Sequence, residues 1–216
     1  MTEKFFEELG SLRKDLLDMG SLALWMLQCS MRALKEHDEP LARQVMSRKT
    51  ELAHLDLAIE DKALRLIALH QPVARDLRTI ACVLKMETYL NRVGRYGKDI
   101  AAVALELSQK PHLGKLVSLP YMTEVATGMV QNALKAFETG DLSLLQGFSD
   151  KDDELDSMRW SIFRECVTYM IEDPKNITIC AHYIMIARYL ERVADHACKM
   201  AEKIHYMVTG EHIEIK

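Results

Sequence analysis

The chain has 216 residues, of which 49% are apolar and only 6% aromatic; 28 Lys and Arg face 32 Asp and Glu, a net charge of −4. This acidic balance argues against nucleic acid as the main partner, which asks for a basic face. The longest apolar stretch, Leu22 to Leu27, is far short of the roughly 20 residues a membrane-spanning helix needs, and the charged start (Glu3, Lys4, Glu7, Glu8) is not a secretory signal, so a soluble, cytoplasmic protein is expected.

The composition is rich in Leu, Ala and Met and poor in the residues that favour strands, so an all-α chain is expected. Proline punctuates helices because it lacks an amide proton and clashes with the preceding turn. Pro40, Pro72, Pro120 and Pro174, together with Gly140-Asp141, divide the chain into six helices, at roughly 3–37, 41–70, 73–109, 121–138, 142–172 and 175–208. Lys110 to Pro120 is the one long connection and the expected linker. The last helix carries an apolar stripe at spacings of three and four, running Ile177, Cys180, Ile184, Ala187, Leu190, Ala194, Ala197, Ala201, Ile204, Val208.

The chain repeats itself. Ala33-Leu34-Lys35 returns as Ala133-Leu134-Lys135, and Tyr89-Leu90-Asn91-Arg92-Val93-Gly94 returns as Tyr189-Leu190-Glu191-Arg192-Val193-Ala194, both at an offset of 100. Glu51-Leu52 matches Glu154-Leu155 at 103, so the small length changes fall in turns. Two tandem three-helix bundles, residues 1–110 and 111–216, fit this better than one six-helix unit.

Glu191 and Asp195 lie one turn apart on the last helix, and Asp152 and Asp156 have the same spacing on the helix before it. Should the two faces meet, four carboxylates converge and raise one another's pKa, which a hard cation would relieve. The other reading is an exposed acidic face paired with Arg188, Arg192 or Lys199. Glu51-x-x-His54 and Glu202-x-x-His205 have the spacing of di-iron carboxylate sites but stand on non-equivalent helices. Gly94 and Gly97 read as close helix contacts rather than a phosphate cradle, since no strand precedes them. The five cysteines, Cys29, Cys82, Cys166, Cys180 and Cys198, read as buried thiols, Trp25 and Trp160 as core residues, and the 13 methionines as core filler or partner surface.

The run Tyr189-Leu190-Glu191-Arg192-Val193-Ala194-Asp195-His196-Ala197 resembles the signature of the PhoU family. So does Leu69-His70-Gln71-Pro72-Val73-Ala74-Arg75-Asp76-Leu77-Arg78, and the resemblance extends to length, helix number and duplication. It implies tandem three-helix bundles carrying Glu/Asp-x-x-x-Asp metal motifs. It also implies a non-enzymatic negative regulator of phosphate metabolism that links a phosphate ABC transporter ATPase to a membrane sensor histidine kinase and forms a homodimer. Asp152, Asp156, Glu191 and Asp195 match the metal motifs of the second bundle. In the first bundle the corresponding positions are Lys49, Ala53, Asn91 and Arg95, so a metal ion (iron, Mg, Mn, Ca or Zn) is expected in the second bundle only. Lys199, where Asn is common in the family, thins that ligand set. In the turn motif Pro72 and Asp76 suit a helix start, while Arg75 and Arg78 are candidates for holding a partner's acidic group or an anion.

Overall fold

The structure is a computed structural model that describes residues 2–113 and 118–215. It is all-α, two tandem three-helix bundles. The elements are α1 (Glu3–Glu36), α2 (Glu39–Ser47), α3 (Lys49–His70), α4 (Ala74–Leu107), α5 (Ser118–Thr139), α6 (Phe148–Glu172) and α7 (Ile177–Thr209), with single 3-10 turns at Leu142–Leu145 and Pro174–Asn176.

Local chemistry explains most boundaries. α1 ends where His37 turns left-handed, and Asp38 then caps α2 by accepting from the Leu41 amide at 2.9 Å. Pro40 occupies the first turn of α2, where its missing amide is not needed. Gly140 and Gly210 close α5 and α7 in left-handed conformations. The expected linker Lys110–Pro120 lies partly outside the described residues, and Pro120 belongs to the first turn of α5.

Two expected helices are broken. The segment predicted as 41–70 is interrupted at Arg48, whose amide bonds back three residues to the Val45 carbonyl; its guanidinium lies 5.5 Å from the Trp25 ring centroid. The segment predicted as 142–172 begins as a 3-10 turn capped by Asp141, and α6 starts only after Gly147, at φ +74°. A glycine reaches that conformation without the Cβ clash another residue would meet, so the chain can re-aim there before α6.

In the first bundle α1 packs along α4, with α3 laid against both; in the second α7 packs between α5 and α6. The bundles meet through α1 with α5 and α4 with α7, and one continuous apolar core runs through all of them. α4 comes so close to α1 that a Cβ on Gly97 would stand 2.7 Å from the Met26 carbonyl carbon, so the close-contact reading of that glycine holds. α3 and α6 are outer helices and bury narrow stripes: Leu52, Ile59, Ala63 and Leu66, and Phe148, Leu155, Ile162 and Cys166. Trp160 therefore corrects the expectation of a core residue. It falls off the α6 stripe, is 48% exposed, and has its ring edge-on to Phe163 with Arg159 stacked over it.

Candidate functional site

α6 and α7 lie side by side, and their packing brings the two acidic pairs to one seam. Asp152 is half-buried near the start of α6, and Asp156 one turn on is exposed. Facing them on α7, Glu191 is buried and Asp195 half-buried. Each pair feels the other. Burial, then Asp195 and Asp156, pushes Asp152 up to about 6. Burial, then Asp195 and also Asp156, pushes Glu191 up to about 7, against the pull of Arg188 and Arg192.

The arginines of the exposed-face reading are in place too. Arg188 donates to Glu191 Oε1, and Arg192 reaches Asp195 Oδ2 at 3.0 Å and Glu191 Oε2 at 3.9 Å. Lys199 pairs with Glu202 at 2.7 Å, and its charge also acts on Asp152. Two oxygens, Asp152 Oδ1 and Glu191 Oε2, are nevertheless buried without a hydrogen-bond partner. Such orphaned carboxylate oxygens fit a hard cation in donor chemistry. The geometry is not closed: among the described residues no three His, Cys, Asp or Glu side chains form a ready coordination group. To hold an ion, the carboxylates must draw together and release their arginines. The Glu-x-x-His pairs do not meet either. Glu51 pairs with Arg48, Glu202 accepts from the Ile215 amide at 3.1 Å, and His205 lies on the Glu211 carbonyl at 3.1 Å.

At the corresponding seam of the first bundle, Lys49 and Ala53 are exposed at the start of α3, and Arg95 is exposed on α4. Burial raises Asp56, one turn further along α3, against the opposing influence of Asn91 and Arg95. Sequence comparison of the repeats overlooked the carboxylates that do gather here. Glu87 is only 7% exposed, its Oε2 is unpartnered, and burial, then Asp56 and Glu60, pushes it up to about 7. The signal was present: Val83, Glu87, Leu90 and Gly94 follow the three-four spacing of the α4 core stripe, with a carboxylate in an apolar position.

The turn between α3 and α4 separates its two arginines. The chain reverses through positive φ at Gln71 and Ala74, with Pro72 preceding α4 rather than opening it. Arg78 reaches across to the second bundle, where its Nε donates to the Met207 carbonyl at 3.5 Å, its guanidinium lies 6.0 Å from the Tyr206 ring centroid, and Gly210 packs against it. It closes the C-terminal end of α7. Arg75 is exposed on the wall of a cleft of about 310 Å³ between the bundles, lined also by Arg13, Asp76, Thr79 and Glu138.

The sequence matches the PhoU domain family twice, over residues 16–104 and 119–204. A phosphate-specific transport system accessory protein PhoU homolog of Caulobacter vibrioides is 37% identical over 98% of this chain and 92% of its own length. The homolog of Deinococcus radiodurans is also 37% identical, over 97% of this chain and 99% of its own. Among solved structures, PhoU from Pseudomonas aeruginosa superposes with a TM-score of 0.91 at 33% identity, covering 96% of this chain and 100% of that one. The phosphate transport system regulatory protein PhoU from Streptococcus pneumoniae gives 0.88 at 26% identity, covering 97% and 99%.

Proposed function

This chain belongs to the PhoU family, an accessory and regulatory family of phosphate transport, and on that premise we propose that it is a non-enzymatic adaptor between a phosphate ABC transporter ATPase and a membrane sensor histidine kinase, restraining phosphate-uptake genes. The observation that supports this reading is the match over nearly the whole chain, in both repeats, to proteins named as accessory proteins of the phosphate-specific transport system. No described helix is long and apolar enough to cross a membrane. In the adaptor reading, contact with the membrane complexes runs through these protein partners at the cytoplasmic face. The surface offers candidates for such contact. Arg75 stands exposed on the wall of the inter-bundle cleft, and the outer helices leave Leu57, Leu64 and Trp160 bare. Co-purification with the transporter ATPase and with the kinase is the test: the wild-type chain retains both and Arg75→Glu weakens at least one. Retention of neither by the wild type overturns the adaptor reading. A homodimer is part of the same reading, and light scattering on the purified chain checks it.

A cation in the second bundle is the second element of the proposal, supported by the orphaned oxygens of Asp152 and Glu191. Asp152, Asp156, Glu191 and Asp195 would hold it, and the bound charge would neutralise the crowded carboxylates. The expected result is metal that co-purifies with the wild type and is lost from Glu191→Ala/Asp195→Ala. Unchanged metal content in that variant removes the site.

A further inference from the structure

Where α4 of the first bundle meets α7 of the second, the seam is lined by stacked rings. Tyr96 lies 5.3 Å from Tyr189 between centroids, and His196 lies 5.5 Å from Tyr89 and 6.0 Å from Tyr96. Residue numbers rise on one helix as they fall on the other, so the two run antiparallel, and Arg78 on the Met207 carbonyl continues the same pairing. The three tyrosines are only half-buried, so the stack floors a surface groove between the helices. Cations alternate with these rings. The α4 stripe reads Lys85, Tyr89, Arg92, Tyr96, and the α7 stripe reads Tyr189, Arg192, His196, Lys199, Lys203, at spacings of three and four that keep each set on one helix face. Lys85, Arg92 and Arg192 are exposed, and Lys199 and Lys203 are half-buried. The charges of Arg92 and Arg192 both bear on His196 between them, in keeping with that placement. Arg192 and Lys199 hold Asp195 and Glu202 from beside the stripe, whereas Lys85, Arg92 and Lys203 make no ion pair among the described residues.

We propose that this groove is an interaction surface for an acidic, extended segment of a protein partner. Charge complementarity decides the class. The chain as a whole carries a net charge of −4, yet neither stripe holds an acid, and three of their five cations lack a carboxylate. Acidic side chains of a partner supply what those cations lack, and the attraction steers the encounter. The ring faces offer contact area to the peptide between its charges. From Lys85 to Tyr96 the α4 stripe rises about 16 Å, which about five extended residues span. A nucleic acid fits less well. Glu191 and Asp195 stand beside Arg192 on the α7 rim, and a phosphate at every step of a backbone meets them as readily as it meets the cations. A peptide can place its carboxylates only where the cations stand.

The test is binding of a fluorescein-labelled octaglutamate peptide to the full chain, read by anisotropy. The expected result is saturable binding that weakens as sodium chloride is raised. Lys85→Ala/Arg92→Ala is expected to weaken it about tenfold. Lys14→Ala/Arg65→Ala, which removes two exposed cations elsewhere, leaves it unchanged. The same peptide carrying a terminal benzophenone is expected to cross-link to α4 or α7 within the two stripes. A peptide alone tests the groove, so the outcome does not depend on the adaptor reading and can fail while co-purification succeeds. Absence of saturable binding by the wild type overturns the proposal, as does equal weakening in the two double variants. Tighter binding of octathymidylate than of octaglutamate overturns the assignment to an acidic protein segment.

Discussion

Glu191 shows at the scale of one residue how burial sets a charge. In an unfolded chain it ionises in the ordinary carboxylate range; in the fold, burial first and Asp195 second push it up to about 7. A group raised in the folded state supports folding below its unfolded pKa and loses that support as pH rises through the folded value. Glu191 thus weighs against the fold at neutral and alkaline pH even with Arg188 and Arg192 beside it, a cost that a bound cation would relieve. Glu191→Gln keeps the shape and an acceptor for Arg188 but removes the titration. The variant is expected to be more stable than wild type by about 1 kcal/mol at pH 8, with the gap closing below pH 5. Urea unfolding midpoints across that range measure it, and a gap independent of pH contradicts the assignment. His196 has the opposite sign. Burial, then Arg92 and Arg192, holds it down at about 4, and it stacks near Tyr89 and Tyr96. It supports the fold above pH 6.5 and withdraws that support as pH falls towards 4.

At the scale of the element, the close crossing of α1 and α4 depends on one missing side chain. A Cβ on Gly97 would meet the backbone of α1, at Met26 and Leu27, rather than a side chain that could rotate away. Alanine is the better helix former, by roughly 1 kcal/mol, yet here the helices must part to admit it. Gly97→Ala is expected to cost about 2 kcal/mol net, read as a lower denaturation midpoint with helical content retained. A stabilised variant would mean that α4 has room to shift. The same helices show how element type is decided by pattern and element ends by local chemistry. The three-four spacing of the α7 stripe is visible in the chain itself. The interruption at Arg48 has no proline or glycine to announce it, and Gly147 could have been one more helical residue until its left-handed turn placed it.

At the scale of the molecule, the two bundles share one core, and polar clasps tie them at the seam. Arg13 of α1 donates to the carbonyls of Phe137 and Glu138 at the end of α5, at 3.1 and 2.9 Å, and lies 5.3 Å from the Phe137 ring centroid. Arg78 does the same service at the end of α7. A shared core predicts one cooperative thermal transition rather than two. Arg13→Ala, which leaves those carbonyls without their donor, is expected to lower its midpoint by a few degrees, for a loss of about 1–2 kcal/mol. Calorimetry checks both. Two resolved transitions in the wild type would show that the seam does not couple the bundles.

What the sequence determined by itself was whatever depends on neighbours along the chain. Proline spacing and the three-four periodicity specify helices, the offset of 100 between Tyr89–Gly94 and Tyr189–Ala194 specifies the duplication, and the motif around Glu191 specifies the family. What only the tertiary structure decided depends on which faces meet. Residue spacing could not tell that Trp160 would fall on the bare side of an outer helix. Nor could it show that Arg78 would cap α7 while Arg75 stands open, or that Glu87, which the α4 stripe already marks as buried, would meet Asp56 and Glu60 of α3. The carboxylate quartet is the mixed case: its members and their spacing are written in the chain. The burial that raises Asp152 and Glu191, and the arginines that compete for them, exist only once α6 and α7 lie together.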